Sequence, residues 1–474
     1  KASNDLNTIN SGSIPSVNYA QAISQLVSSI DAQSADFLAT AGLTDQTSCS
    51  ILNNTDKPML TVHDCDERNI DAETVQVNEQ LFNAAHNTTY PGEQTAVERI
   101  STGLESYLGD IHQMRVDYGL AKSKTNPTDP SLQQAYQAYL SGSTILHDHI
   151  SLPTVNANQI PFDQEAGLPS CKSSDGSVYY SPEQWTQGSL TVALDCLSDI
   201  NHTVLDNANT DANSFLGSDF GLLLFLSLLF GGLLVFSTGS MLMTTHRAVN
   251  PGLLPAVLIA IILSFNLIGL VNTLGKQGNH PVPIDQVAST DGAFQQMVSD
   301  DYQSVYDAAL LTRYATDANA DESRWLIAQE FNDTANIQIW QSDWDVNVKR
   351  VTDSMTAANN NQTWTEEGDP LNNMTVSWNQ YYAIDGQIRA AENNQSDLNH
   401  TLTAEKLSTG DSNSAFGKFT DAVAQLGKAN QDHYDSTLSD TKGSLMLYFV
   451  LSLVLFPLAG LLGAWGIWVR LKDF

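Results

Sequence analysis

Three long apolar stretches without a charged residue constrain this 474-residue chain more than any other feature. They cover Phe220–Met243, Leu253–Leu274 and Leu445–Val469. A helix of roughly 20 apolar residues crosses a hydrocarbon core of about 30 Å, and each stretch is long enough to do so. The sequence therefore predicts an all-α integral membrane protein with three transmembrane helices in this chain.

The spacing of these helices places nearly all polar residues on one side of the membrane. Residues 244–252 alone join the first two stretches, and only residues 470–474 follow the third. Residues 1–219 and 275–444 then form two large domains on the opposite side. The short side has no room for an autonomous signalling enzyme, so we expect a protein partner to act there.

The few charges on the short side indicate the orientation. Arg247, Arg470 and Lys472 lie there with one acid, Asp473. Basic residues near the ends of membrane helices favour the cytosol. We therefore expect a multi-pass protein of the cell membrane, in contact with membrane lipid, whose bulk is extracytoplasmic and whose C-terminus is cytosolic.

The charge balance narrows the classes of partner. The chain has 53 acidic and 21 basic residues, and its net charge is −32. Such a surface repels phosphate backbones, so we expect no nucleic-acid partner. It suits either a salty or an acidic exterior.

All four cysteines fall in the first polar domain. An even number of cysteines in an exposed domain is typical of disulfides in an oxidising compartment. Four cysteines allow three connectivities, and we favour the two local bridges, Cys49–Cys65 and Cys171–Cys196. Buried free thiols are the alternative.

The sequence predicts a helical bundle for each of the two polar domains. Apolar residues recur with a period near 3.6 residues in several runs, and no run shows sustained strand alternation. The first domain has such runs at 23–37, 98–115, 131–150 and 182–212, and the second at 294–314, 322–357, 376–393 and 414–440. Residues 359–373, which contain NNNQT and EEGDP, are predicted to form a surface loop.

Candidate modification and interface residues can also be named. Sites of the form N-x-[ST] permit glycosylation of an exposed segment. They are Asn53, Asn87, Asn201, Asn332, Asn361, Asn373, Asn394 and Asn399. Polar and small residues in membrane helices favour contact between helices. We expect such an interface at Asn266, Ala459, Gly460, Gly463 and Ala464. The alternative is that these residues only reflect the usual composition of membrane helices.

We identify no catalytic, cofactor or metal residues in the sequence. His147 and His149 are two positions apart on a predicted helix and point to different faces, so a solvated helix end explains them better than a metal site does. His112 and Arg115 fit a charged helix face. A group of tryptophans in the second domain predicts core anchors, with an aromatic-lined cleft as the alternative. Its members are Trp325, Trp340, Trp344, Trp364 and Trp378.

Several segments resemble a family of membrane proteins common in actinobacteria. The resemblance rests on motifs that follow one another in the family's order: Tyr107–Arg115 (YLGDIHQMR), Ala138–Leu140 with Ser143, Leu152–Pro153, Arg247–Leu254 (RAVNPGLL), Ala309–Ala328 and Trp465–Phe474. The chain differs from the family at His112, where the family has an acid, and in the excursion around Cys171.

The resemblance implies a four-pass protein whose first membrane helix precedes the first external domain. We therefore expect a fourth helix upstream of Lys1, with a removed signal peptide as the alternative. In one branch of the family, the membrane protein partners a glutamine- or aspartate-binding lipoprotein and relays its state to a cytosolic Ser/Thr kinase.

These observations favour a non-enzymatic extracytoplasmic sensor or adaptor. It would bind a partner protein outside and relay that event through its membrane helices to a cytosolic partner. One alternative is a structural scaffold or accessory subunit of a larger surface or membrane assembly, such as a homo-oligomer. A second alternative is an extracellular ligand-binding receptor.

Overall fold

The computed structural model describes most of the chain and is mainly helical. The described residues are 12–44, 46–49, 51, 57–147, 168–174, 176–245, 252–274, 297, 301–394 and 400–471. This confirms the predicted all-α class. The predicted short-side residues Arg247, Lys472 and Asp473 lie outside the described part.

The elements are numbered here in chain order. The first polar segment contains α1 (Ile14–Ala39), β1 (Gln46–Ser48), β2 (Met59–Thr61), α2 (Val62–His86), α3 (Glu93–Leu120), α4 (Pro130–Leu146), β3 (Cys171–Lys172), β4 (Tyr179–Tyr180), α5 (Pro182–Gln187) and the start of α6 (Leu190–Thr245). There follow α7 (Leu253–Leu274), α8 (Gln303–Glu330), α9 (Thr334–Asn360), α10 (Gly368–Glu392), α11 (His400–Lys406), a π-helical segment (Leu407–Ser412) and α12 (Asn413–Leu471).

The chain divides into two compact units. One combines residues 8–205 with 304–429, and the other contains 206–303 and 430–474. The sequence analysis assigns residues 1–219 and 275–444 to separate domains, whereas the described residues of both polar segments contribute to the first unit. We call this first unit the polar unit, and the second the apolar unit.

The core of the polar unit draws on both polar segments. Ile23 and Ile30 of α1 lie in one buried cluster with Tyr107 of α3 and Tyr139 of α4. Ile327 of α8 belongs to the same cluster, although it lies far along the chain in the second polar segment. The two segments therefore share hydrophobic burial, which is the main favourable contribution to folding.

Local signals set several helix starts. The Asp129 side chain accepts hydrogen bonds from the backbone N–H groups of Ser131 and Leu132, and Pro130 occupies the first position of α4. Ser181 and Gln184 form a capping box at α5. These caps satisfy backbone donors that have no partner within the helix.

Two short antiparallel hairpins interrupt the helices, and each lies next to a disulfide. β1 pairs with β2, and β3 pairs with β4. Cys49, which follows β1, is bonded to Cys65 of α2, and Cys171 of β3 is bonded to Cys196 of α6. This is the pairing that the sequence analysis favours.

The predicted boundaries in the second polar segment need correction. The runs at 294–314 and 322–357 imply a polar break between them, but α8 continues through it, and the break falls at residues 331–333. Asn332 adopts a left-handed backbone with φ of 54°, which Asn tolerates better than most residues. Asp333 then caps α9 by accepting a hydrogen bond from Asn336 N.

The predicted loop at 359–373 is also too long. α9 continues to Asn360, and α10 begins at Gly368 after a short 3-10 turn at Thr365–Glu367. Glu367 accepts hydrogen bonds from the backbone N–H groups of Thr363 and Trp364, which closes the connection. Asn373 therefore lies on a helix, not in a loop.

Large apolar side chains on the helices of the apolar unit are exposed. Phe236 of α6 is 74% exposed, Phe265 of α7 is 70% exposed, and Leu461 of α12 is 70% exposed. Contiguous apolar surface of this kind marks an interface with lipid or protein, because water-exposed surfaces rarely carry it.

A test of length and hydropathy identifies one candidate span among the described residues. It is the continuous helical run His400–Val469. Leu228–Ser240 and Leu253–Asn266 are shorter apolar helices by the same test. Within the part of the chain that the structure describes, only one of the three predicted membrane helices therefore meets the length and hydropathy criterion, and the prediction of three is not confirmed.

Small residues line the contacts within the apolar unit. A Cβ on Gly463 of α12 would lie 3.5 Å from Leu234 Cδ2 of α6, and Ala459 is fully buried. Gly460 has nothing within 4 Å of such a Cβ, and Ala464 is exposed. Of the two predicted small-residue pairs on α12, only Ala459 and Gly463 therefore face a neighbour.

Two further contacts in the apolar unit concern Gly252 and Asn266. A Cβ on Gly252 would lie 2.5 Å from Leu462 O, so the start of α7 approaches the backbone of α12 closely. Asn266 donates its side-chain amide to Ile262 O of its own helix, at 2.7 Å. The structure therefore shows Asn266 bonded within α7, where the sequence predicts a bond across helices.

Candidate functional site

A polar cavity of about 270 Å³ lies in the polar unit. Its wall combines the β3–β4 hairpin and the start of α6 with α8 and α9. The charged lining residues are Asp195, Arg313, Asp317, Asp321, Asp343 and Arg350, joined by His147, Ser174, Tyr314, Val346 and Asn347 among others. We call it the Arg313 cavity.

Arg313 and Asp195 form the most buried charge pair in its wall. Arg313 Nη1 of α8 lies 2.6 Å from Asp195 Oδ1 of α6, and both side chains are about 5% exposed or less. Asp317 is one turn further along α8, with Oδ2 4.0 Å from Arg313 Nε. Burial lowers the pKa of Arg313, but Asp195 and Asp317 raise it more strongly, so Arg313 stays charged.

The second cavity arginine lies on α9. The Arg350 guanidinium stacks over the Tyr314 ring with 5.4 Å between its central carbon and the ring centroid. The Tyr314 hydroxyl donates to Ser174 Oγ at 3.3 Å, which links α8 to the hairpin segment. A guanidinium on an aromatic face keeps its planar donors directed to the side, where a carboxylate can meet them.

A buried ionic network supports the cavity from behind. Arg324 Nε of α8 lies 2.6 Å from Asp31 Oδ2 of α1, and Arg324 Nη1 lies 2.6 Å from Asp321 Oδ1. Asn347 of α9 donates to Asp321 Oδ2 at 2.9 Å. Asp321 is therefore both a cavity residue and a member of the network.

Asp31 collects hydrogen bonds from two further helices. Tyr107 of α3, Tyr139 of α4 and Ser143 of α4 all donate to its carboxylate, at 3.3, 3.4 and 3.1 Å. These bonds supply the partners that a buried carboxylate needs. The network therefore fixes α1, α3, α4, α8 and α9 around one ion pair.

Burial strongly affects the pKa of Asp321. Burial raises it to about 7, Arg324 opposes this shift, and Asp343 adds to it. Because Asp321 borders the cavity, its protonation state in the folded chain would change as the pH of the surroundings passes through about 7. The charge that the cavity offers to a ligand is thus pH-dependent.

The Cys171–Cys196 disulfide is the predicted feature closest to this site. Cys196 follows Asp195 directly on α6, and Cys171 belongs to β3 of the cavity wall. The bond therefore anchors the hairpin next to the Arg313–Asp195 pair. A disulfide of this kind stabilises mainly by restricting the unfolded chain.

Other predicted residues lie apart from each other. His147 borders the cavity, but His149 is outside the described residues. Within the described residues, no group of three His, Cys, Asp or Glu side chains is arranged to hold a metal ion. Arg115 of α3 bonds Glu67 and Asp71 of α2, at 2.8 and 2.7 Å, which fits the charged helix face expected there.

The tryptophans of the second polar segment are mostly core residues. Trp340 is fully buried, and Arg324 stacks over its ring at 5.0 Å. Trp325, Trp344 and Trp378 are also buried, while Trp364 is partly exposed. These positions fit core anchors, as the sequence analysis favours.

The structure separates the candidate glycosylation sites. Asn201 is fully buried and donates to Leu197 O, so it is not accessible to a glycan in this fold, contrary to its prediction as a site. Asn87 is half-buried, and its amide donates to Gly12 O and Ser16 Oγ. The exposed sites are Asn332, Asn361, Asn373 and Asn394, and Asn53 and Asn399 lie outside the described residues.

Sequence reasoning did not single out the cavity residues. One local signal was present, because Arg313 and Asp317 are four residues apart and share a helix face. The pairing with Asp195 across 118 positions has no local signature.

The arrangement suits recognition by charge of both signs. Arginine presents a planar set of donors, and the aspartates accept hydrogen bonds, so a ligand with a carboxylate and a cationic group finds partners for each. No protein-family model, no curated protein and no solved structure matches this chain in comparisons with known proteins.

Proposed function

We propose that this chain is a non-enzymatic, membrane-anchored extracytoplasmic sensor or adaptor. The Arg313 cavity recognises a polar group of an external partner protein, and the membrane helices relay that event. Three spans, Phe220–Met243, Leu253–Leu274 and Leu445–Val469, anchor the chain with its polar unit outside and its C-terminus in the cytosol. The exposed apolar side chains of α6, α7 and α12 support this placement.

One observation carries the proposal. Asp195 lies in the cavity wall near the start of α6, and the same continuous helix contains the first predicted span. A change in the Arg313–Asp195 contact therefore acts on a helix that also enters the predicted membrane region. A rigid helix transmits a displacement along its length better than a flexible linker does.

The proposal is tested with a photo-crosslinking residue in the full-length protein in intact membranes. One position is Val346, an exposed cavity residue on α9, and the matched control is Val75, an exposed valine on α2. We expect Val346 to form a defined protein adduct that Val75 does not form. Arg350→Ala should reduce its yield by about tenfold or more.

Equal adducts at both positions, or a Val346 adduct insensitive to Arg350→Ala, would overturn the proposal. Native mass measurement in mild detergent separates the scaffold alternative. A large closed assembly of this chain supports a scaffold, whereas a monomer or dimer supports a sensor.

The cavity itself favours a second candidate function, an extracellular receptor for a small ligand. Its volume is near the lower end of that seen for small-molecule sites. Screening small zwitterions, organic cations and carboxylates against the purified chain tests this. A saturable rise in melting temperature that Arg350→Ala removes would favour the receptor over the adaptor.

A further inference from the structure

Carboxyl groups from four helices converge beside α11 and the π-helical segment. Glu405 of α11 interacts electrostatically with Glu330 of α8, Glu392 of α10 and Asp36 of α1. Asp36, Glu392 and Glu405 are each less than 10% exposed. Three acidic groups from neighbouring helices thus lie near Glu405, on the short helix that precedes the π-helical segment and α12.

A fifth carboxyl holds the π-helical segment directly. Ser408 Oγ donates to Glu322 Oε1 at 2.7 Å, and Ser412 Oγ donates to Glu322 Oε2 at 3.1 Å. Glu322 of α8 is only 1% exposed. Both serines belong to the turn that leads into α12 without a break, so this bond fixes the head of that helix to α8.

Basic groups facing this cluster are few. His400 Nδ1 of α11 lies 3.4 Å from Glu392 Oε1, and Arg389 Nε of α10 lies 2.8 Å from Asp385 Oδ2. Arg389 also stacks on Trp325 and Trp344. Lys406 is exposed.

The remaining titratable neighbours are acids or phenols. Asp66 and Glu73 of α2 lie beyond Asp36, Asp385 lies beside Glu322, and Tyr118 and Tyr381 interact with Glu330 and Glu322, respectively. Glu330 Oε2 and Glu392 Oε2 are buried without a hydrogen-bond partner among the described residues. A buried ionised oxygen left in this condition is costly, so Glu330 favours the neutral form, in line with its raised pKa.

We propose that Glu322, Glu330 and Glu405 form a pH-sensitive clamp on the head of α12. When they are protonated, α11 and the π-helical segment stay docked on α8 and α10. When they ionise, like charges in a buried space repel one another and the segment His400–Ser412 undocks. The input is the acidity of the medium, independent of any ligand in the Arg313 cavity.

The direction of the response follows from the pKa shifts. Burial and then the neighbouring acids raise the pKa of Glu405 to about 9, and burial followed by repulsion from Glu392 raises that of Glu330 to about 8. Burial likewise raises the pKa of Glu322 to about 8. The segment His400–Ser412 is then fully docked below the pKa of a glutamate in the unfolded chain, near 4.5, and its docking is lost as the pH rises through about 8 to 9.

Amide hydrogen exchange of the full chain in detergent micelles tests the clamp. Protection is compared between pH 5.5 and 8.5 after correction for the intrinsic exchange rate. We expect the open fraction of residues 400–412 to rise about tenfold per pH unit for each proton released. Residues 93–112 of α3 serve as the internal reference and should change much less.

Two variants separate the clamp from a general charge effect. Glu405→Gln removes the ionisation, so the rise in exchange of residues 400–412 between the two pH values should shrink by about tenfold or more. Asp411→Asn alters an exposed acid in the same π-helical segment and should behave as wild type. Glu330→Gln provides a second clamp variant if Glu405→Gln folds poorly.

The clamp is wrong if residues 400–412 keep the same protection at both pH values in the wild-type chain. It is also wrong if they change in parallel with α3, because global destabilisation then explains the change. Identical profiles for Glu405→Gln and Asp411→Asn would exclude the buried carboxyls as its cause. None of these outcomes bears on crosslinking at Val346.

Discussion

Arg313 Nη1 lies 2.6 Å from Asp195 Oδ1, although the two residues are 118 positions apart and two of the three predicted spans lie between them in sequence. The pair is buried, and it joins the two polar segments at the cavity wall. It is therefore both a structural contact between segments and the core of the candidate site.

Removing one partner of this pair should destabilise the polar unit strongly. Arg313→Ala leaves Asp195 buried without its counter-ion, and such losses cost about 3 to 5 kcal/mol. Denaturant titration of the full chain in mild detergent, followed by tryptophan fluorescence, measures the change.

The matched control is Lys349→Ala, which breaks an exposed ion pair with Asp353 on α9. Solvent screens that pair, so its loss should cost less than about 1 kcal/mol. Similar costs for the two variants would contradict the structural role of Arg313.

The polar unit should be more stable in acid than at neutral pH. Burial raises the pKa of Glu73 of α2 to about 7, and hydrogen bonds from Ser29 and Gln33 only partly oppose this. Because the pKa of Glu73 is higher in the folded chain than in the unfolded chain, its contribution to stability is fully present below about pH 4.5. That contribution is lost as the pH rises through 7. Unfolding free energies at pH 5 and pH 8 measure the difference.

Glu73→Gln should remove part of this pH dependence. The unfolding free energy of the variant minus that of wild type should be on the order of 3 kcal/mol larger at pH 8 than at pH 4. The reason is that one pKa unit corresponds to about 1.4 kcal/mol. Glu79→Gln, at an exposed position on the same helix, should leave the profile unchanged. An unchanged profile in both variants would show that Glu73 is not the group that titrates.

The two disulfides should differ in function more than in stability. They close 16- and 25-residue separations, so replacing either pair by serines should cost roughly 3 to 4 kcal/mol in the chain-entropy account. Only the Cys171–Cys196 replacement loosens the cavity wall. We expect it to reduce the Val346 crosslink, whereas the Cys49–Cys65 replacement should preserve the crosslink at a temperature where both variants remain folded.

Helix packing in the apolar unit should depend on which glycine of α12 is enlarged. Gly463→Ile would collide with Leu234 of α6, and overpacking of this kind costs about 1 to 3 kcal/mol. Gly460→Ile is the control, because a Cβ at that position meets no atom within 4 Å. Both variants change helix propensity equally, since each replaces Gly by Ile in the same helix. Thermal aggregation in detergent should start several degrees lower for Gly463→Ile alone, and equal onsets would refute the contact.

The sequence predicts much of the helical architecture because apolar periodicity is a local property. The runs at 23–37 and 98–115 fall within α1 and α3, and the cysteine spacing favours the observed disulfides. Helix α2 was not predicted, because its many acidic and amide residues leave only a narrow apolar stripe, which includes the buried Ile70 and Val77.

The predicted break in α8 shows why the rest was not visible. Asn319, Asp321 and Arg324 suggest a solvated segment when read alone. In the structure they are buried, and Arg324 is paired with Asp31 of α1, 293 positions earlier. A pattern based on neighbours along the chain cannot reveal that a polar residue has a distant partner.

The same separation sets an order of events during synthesis. Asp31 emerges from the ribosome long before Arg324, and the segments predicted to enter the membrane as α6 and α7 are made in between. Until Arg324 arrives, the early helices would bury a carboxylate without its counter-ion, which costs several kcal/mol. The polar unit is therefore expected to mature late, because its first segment cannot complete its core before the second segment has been made.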